Sequence, residues 1–124
     1  MQQVEAKSYF SQLATKTFDL GFGSWIGDFG DGINFLEIFS SKKNGTNTTN
    51  WESPNYMQAV ADSFYSSSTD ERISLLHKAE EIIMDEMPVI PVFQLNWVYM
   101  KDPHLKNAYV TKEGFLDITH ASLK

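Results

Sequence analysis

Apolar residues recur at three- and four-residue spacing between Gln3 and Ala14, at Ala6, Tyr9, Phe10, Leu13 and Ala14, which predicts a helix with one apolar stripe. The period changes in "FDLGFGSWI". Phe18, Leu20, Phe22 and Ile26 fall on one side of an extended chain, and Asp19, Gly21, Gly23 and Trp25 on the other, which predicts a strand with one greasy face. Gly21 and Gly23 leave the second face bare, so another group can approach the backbone there, with Trp25 at the end of the bare strip. Asp28 to Gly32 reads as a glycine-rich turn and "INFLEIF" as a short helix.

The polar stretch Ser40 to Ser53 predicts an exposed, hairpin-like loop. Asn44-Gly45-Thr46 and Asn47-Thr48-Thr49 match the glycosylation pattern, but loop chemistry accounts for the same residues. Ser53-Pro54 supplies an N-cap and a first-turn proline for a helix whose stripe is Tyr56, Met57, Val60, Ala61 and Phe64. Ser68 or Thr69 caps a second helix, with Ile73, Leu76, Ala79, Ile82, Ile83 and Met87 as its buried face and Pro88 as its stop. "VIPVFQLNWVYM" is rich in β-branched and aromatic residues and predicts a buried strand, pushed toward a sheet edge at Pro91. Weaker strand signals follow at "NAYV" and "FLDI". With no internal repeat and no linker, residues 1–124 read as one domain of mixed α/β class, a small sheet with packed helices.

Composition narrows the chemistry. The 124 residues are 42% hydrophobic and 14% aromatic, which argues against disorder. Ten Lys and Arg against sixteen Asp and Glu give a net charge of -6, with the basic residues scattered; this disfavours nucleic acid and anionic membranes and favours cationic or amine-bearing ligands. The absence of cysteine removes disulfides, thiolate metal sites and cysteine catalysis and leaves the redox compartment open. "MQQVEAKSYF" lacks the order of a secretory signal, so the chain reads as untargeted or as cut from a longer protein. No apolar run approaches the roughly 18 residues needed to span a bilayer.

Most catalytic patterns fail on inspection. "GFGSWIG" has Ile26 where a dinucleotide fingerprint needs its third glycine, and no phosphate-loop lysine follows. Phe22 and Ile26 flank Ser24 where a nucleophile elbow needs glycines. His77, His104 and His120 are isolated in sequence and read as surface residues; no metal or cofactor is expected. Counted from Asp28 as a calcium loop, the sixth position is Ile33 and the twelfth Phe39, where glycine and glutamate are needed. Asp31 is placed to cap the helix near Ile33. Asp28, three residues after Trp25, has two readings: a turn residue beside a core tryptophan, or a carboxylate beside an aromatic wall, which suits an ammonium group through a charge-assisted hydrogen bond and the ring face.

"FDLGFGSWIGDFGDGINFLEIF" resembles the W-x-x-D segment, commonly W-x-G-D-x-x-D-P-x-N-F, of the substrate-binding proteins of oligopeptide and dipeptide ABC transporters, extracellular solute-binding protein family 5. Both flanks agree: "VEAKSYFSQLATKTFDL" before it, then "NWESPNYMQAVADSF" and "TDERISLLHKAEEIIMDEMPVIPVFQLNWVYM" after it, so the likeness covers nearly the whole chain. Gly32 departs from the usual proline.

The resemblance implies the C-terminal portion of a much longer, two-lobed periplasmic-binding-protein-like (type II) receptor outside the cytoplasm. Such a receptor is often lipid-anchored through an N-terminal part missing here, and it hands peptides to permease subunits. It also implies that Asp28 pairs with the peptide α-amino group, Trp25 lines a pocket beside it, and Gly23 and Ser24 lie on the strand along which the ligand runs. An extended peptide bound through its main chain explains breadth of specificity. A piece of such a receptor exposes surface meant for the rest of it. The alternatives are another ligand in the same fold (a nickel chelate, haem or a sugar), a hydrolase using Asp28 and Asp31, and an interaction module docking through "FQLNWVYM".

Overall fold

A computed structural model describes residues 3–96, 98–112 and 114–124. Helix α1 spans Ala6–Thr15; the Glu5 side chain accepts the Ser8 N–H at its start, and Lys16 closes it in the left-handed conformation at φ 54°. Its predicted stripe is present but buries nothing, and Phe10 remains exposed. Helix α2, Ile33–Leu36, continues into a 3-10 turn at Glu37–Phe39, as "INFLEIF" predicts.

Helices α3 (Pro54–Tyr65) and α4 (Thr69–Glu86) are the most fully specified elements. Pro54 occupies the first turn of α3, where its missing N–H costs nothing. Ser53 does not cap α3 with its side chain; its hydroxyl donates instead to Glu86 at 3.1 Å, beside the Trp51 indole N–H, which donates to the same carboxylate at 2.7 Å. Ser68 caps α4 by accepting the Glu71 N–H, and Met87, at φ 49°, ends it before Pro88.

The core forms where α2, α3 and α4 meet, from Ile33, Tyr56, Ala59, Val60, Ala79 and Ile83, flanked by Leu36, Phe39, Trp51, Leu76, Ile82 and Val89. Tyr56 is its centre. It is wholly buried, packs edge-on against Trp51 with ring centroids 4.9 Å apart, and donates its hydroxyl to the Leu36 carbonyl at 2.6 Å, fastening α2 to α3. The core face of α3 runs through Tyr56, Ala59, Val60 and Ser63, so the predicted stripe is divided: Met57, Ala61 and Phe64 turn toward a groove beside the core. On α4, Ile73 and Met87, expected in the buried face, are exposed.

The loop between α2 and α3 is neither a hairpin nor wholly exposed. Asn44 and Asn47 each accept the N–H and hydroxyl of the threonine two residues on. Asn47 is 1% exposed, and its amide donates to the Ser41 and Trp51 carbonyls. A carboxamide enclosed in this way is committed to loop folding, which is the loop-chemistry reading of the Asn-x-Thr pattern.

Two expected strands are absent. "FDLGFGSWI" makes no ladder and bends at Asp19 and Leu20, and its greasy side is uncovered: Leu20, Phe22 and Ile26 are exposed. "VIPVFQLNWVYM" likewise forms no strand among its described residues, and Ile90, Val92, Phe93, Leu95, Val98, Tyr99 and Met100 face outward; Trp97 lies outside the described residues. A strand exists only through hydrogen bonds to a neighbour, and propensity cannot supply one. The two segments touch where the Phe22 and Phe93 rings stack at 6.5 Å.

The tail does form strands, as "NAYV" and "FLDI" suggest, although the expected single small sheet is replaced by two antiparallel pairs. β2 (Tyr109–Val110) pairs with β3 (Leu116–Asp117), nested within the pair of β1 (Leu105–Lys106) and β4 (Ser122–Leu123). The class is mixed helix and small sheet. Among the described residues no helix is long and apolar enough to cross a membrane.

Candidate functional site

The two carboxylates of "GDFGDG" have different surroundings. Asp31 accepts the Ile33 N–H and the Arg72 guanidinium of α4 through one oxygen, each at 3.0 Å, and its carbonyl accepts the Asn34 N–H at 3.1 Å. The Arg72 hydrogen bond, then that from Ile33, hold its carboxyl below the ordinary aspartate range. Asp31 therefore caps α2 and ties it to α4, as its place before Ile33 predicts.

Asp28 is held through its backbone. Its N–H donates to the Asn34 Oδ1 at 2.8 Å, and among the described residues no hydrogen bond or ion pair reaches its carboxylate. The same Asn34 oxygen accepts the Trp25 indole N–H at a longer 3.4 Å, and the Asn34 Nδ2 donates to Glu37 at 3.4 Å. Asn34 is 3% exposed, so one buried carboxamide joins the first residue of W-x-x-D, its last residue and the 3-10 turn after α2. Gly27 makes this close return possible: a Cβ there would lie 3.1 Å from the Phe35 ring and 3.5 Å from the Asn34 Oδ1.

Trp25 and Asp28 come together on the rim of an open groove of about 650 Å³. Asn34 and Glu37 form its polar floor, and α3 supplies an apolar wall from Met57, Ala61 and Phe64. Among the described residues the lining carries two carboxylates and no Lys or Arg, so it attracts cations. Trp25 is 40% exposed, neither a core residue nor a free one. Asp28 is exposed, so the desolvation that an amine site needs must come from a covering group. Gly23 and Ser24 do not line this groove; they lie exposed on the preceding extended segment, where a Cβ on Gly23 would meet only the Tyr9 hydroxyl, at 3.8 Å. That hydroxyl donates to the Phe22 carbonyl and fixes the segment to α1.

His77, His104 and His120 are exposed and far apart in sequence; His104 Nδ1 lies 2.9 Å from Asp102. Among the described residues no group of His, Asp or Glu is arranged to hold a metal. Sequence reasoning missed Asn34, Glu37 and Arg72. Asn34 left two signals: it falls on the Asn of the W-x-G-D-x-x-D-P-x-N-F pattern, and it is a carboxamide inside the apolar run "INFLEIF", where a polar side chain needs a partner.

The fold matches part of a periplasmic binding protein. The chain superposes on MppA, a periplasmic murein tripeptide binding protein in its unliganded open form, with a TM-score of 0.67 and 26% identity over 70% of this chain and 17% of that one. It is 35% identical over 116 residues to the oligopeptide-binding protein OppA of Bacillus subtilis, covering 94% of this chain and 21% of that protein. To the dipeptide-binding protein DppE of the same organism it is 32% identical over 104 residues, covering 84% and 19%. The chain is thus a homologue of one segment of the family 5 solute-binding proteins, and it spans about a fifth of the length of the curated relatives it matches. Those relatives are binding proteins, and MppA is named as periplasmic. No protein-family model matches the chain.

Proposed function

We propose that this chain is the C-terminal segment of a two-lobed receptor that captures oligopeptides or dipeptides outside the cytoplasm and delivers them to an ABC permease, without catalysing a reaction. In this reading residues 1–124 form one structural unit, the rest of the protein supplies the facing lobe, and a lipid anchor, where present, belongs to that other part. The Asp28 carboxylate pairs with the ligand's α-amino group, Trp25 forms the wall beside it, and the Gly23–Ser24 backbone runs along the peptide. One observation carries the proposal: of two neighbouring aspartates, Asp31 is engaged by Ile33 and Arg72, whereas the Asp28 carboxylate has no partner among the described residues and stands beside an indole on the rim of a cation-attracting groove. Among the described residues, none in that groove offers a basic partner to an acidic ligand.

Calorimetric titration of the chain with trialanine and with N-acetyl-trialanine tests the amine site. Binding of the free peptide that acetylation abolishes supports the assignment, and equal binding of both refutes it. Repeating the pair of titrations on the complete receptor covers the case in which the facing lobe is needed for measurable affinity.

A further inference from the structure

The W-x-x-D segment does not hold its own shape, because Asp28 and Trp25 are set by a residue outside it. The two groups donating to the Asn34 Oδ1 are N–H groups, those of Asp28 and the Trp25 indole, and the group facing Nδ2 is a carboxylate oxygen of Glu37. Donor and acceptor chemistry fixes the amide in this orientation, since the reverse would set NH2 against two N–H groups and oxygen against a carboxylate. The carboxamide is buried with its polar atoms satisfied, and it lies where a shift would move both rim residues together. Gly27, between them, has no side chain to resist or guide that placement, and the groove beyond is open.

We infer that Asn34 is the positioning residue of the ligand site: its buried carboxamide, oriented by Glu37, fixes the Trp25 indole and the Asp28 backbone as one rigid unit, so that ring and carboxylate meet a ligand amine together. As a statement about ligand binding this rests on the amine-site reading above; as a statement about geometry it stands alone. Asn34, 3% exposed and with its amide atoms committed to Trp25, Asp28 and Glu37, acts through those residues. Its action is to spare the site the ordering cost of a glycine-flanked turn at the moment of binding.

The test has two arms. In the first, without ligand, hydrogen exchange at the Asp28 amide and the Trp25 indole N–H is followed by NMR in the wild-type chain, in Asn34→Ala and in the double variant Asn34→Asp with Glu37→Gln. The double variant keeps both acceptor contacts and reverses donor and acceptor between positions 34 and 37. Expected is at least tenfold faster exchange at both sites in Asn34→Ala, unchanged protection of Val60 and Ile83 in the core, and recovery in the double variant. Unchanged exchange at Asp28, or equal loss of protection throughout the core, overturns the inference.

In the second arm, trialanine binding to the complete receptor is measured for Asn34→Ala, for the double variant and for Asp28→Asn. About a tenfold loss in Asn34→Ala with recovery in the double variant supports positioning. Full affinity in Asn34→Ala, while Asp28→Asn loses binding, overturns the inference and leaves the amine site standing. Full affinity in Asp28→Asn removes the amine site, and the exchange arm still decides what Asn34 holds.

Discussion

Replacing Tyr56 with phenylalanine removes one oxygen and keeps the ring against Trp51. The hydroxyl is wholly buried and donates to Leu36 O at 2.6 Å. That carbonyl ends α2, and the Ser40 N–H that an α-helix would bring to it goes to Glu37 O instead, at 3.1 Å. Without the hydroxyl, the Leu36 carbonyl keeps the Phe39 N–H of the 3-10 turn and loses its second donor, so the cost is the net worth of one buried hydrogen bond, about 0.5–1.5 kcal/mol. The expected loss is therefore about 0.5–1.5 kcal/mol. With a urea m-value of about 1.5 kcal/mol/M, the unfolding midpoint falls by about 0.3–1 M while m is unchanged. Urea titration of the chain followed by circular dichroism reads both quantities. A midpoint within about 0.2 M of wild type would refute the claim that this single hydrogen bond fastens α2 to α3.

Asp28→Ala in the complete receptor should weaken peptide binding by about 2–5 kcal/mol, the range for stripping one partner from a buried charge pair; unchanged affinity by calorimetry sinks the assignment of Asp28. Asp31→Asn should flatten the acid limb of stability. The Asp31 pKa is depressed in the folded chain, so its contribution is present above the unfolded value of about 3.9 and is lost as pH falls through the folded value. The pair with Arg72 is about one-third exposed, so the effect stays under about 1 kcal/mol, read as the difference between wild-type and variant denaturation midpoints at pH 7 and pH 3. Asn47→Ala should destabilise by about 1–2 kcal/mol, because the buried carboxamide's bonds to the Ser41 and Trp51 carbonyls and to Thr49 are lost, whereas Thr48→Ala should change little; a thermal melt separates the two.

How much could be read in advance follows the range of the interactions. Helix α4 was legible at both ends because its signals are local: Ser68 three residues before Glu71, and a proline just past Met87. Asp31 was legible as a cap for the same reason. Its pairing with Arg72, 41 residues away, was not, and neither was the enclosure of Asn47 or the role of Asn34. The stripe of α3 was read as one face, but a helix flanked by a core on one side and a groove on the other carries two apolar faces, and period alone merges them. The strands at Phe18–Ile26 and Val89–Met100 have the right composition, but a ladder needs a second strand, and no residue of either segment says where that strand is.

Those two segments also bear on handling. Among the described residues of these segments no backbone group is in a strand ladder, and Leu20, Phe22, Phe93, Leu95 and Val98 are exposed, the kind of surface that recruits strands from other molecules. Pro91 interrupts one of them, and the net charge of -6 keeps separate chains apart at long range. Salt screens that repulsion within about 10 Å at 0.1 M and leaves apolar attraction intact. Self-association should therefore rise with ionic strength as well as with concentration, so low-salt buffer is the condition in which the chain stays dispersed.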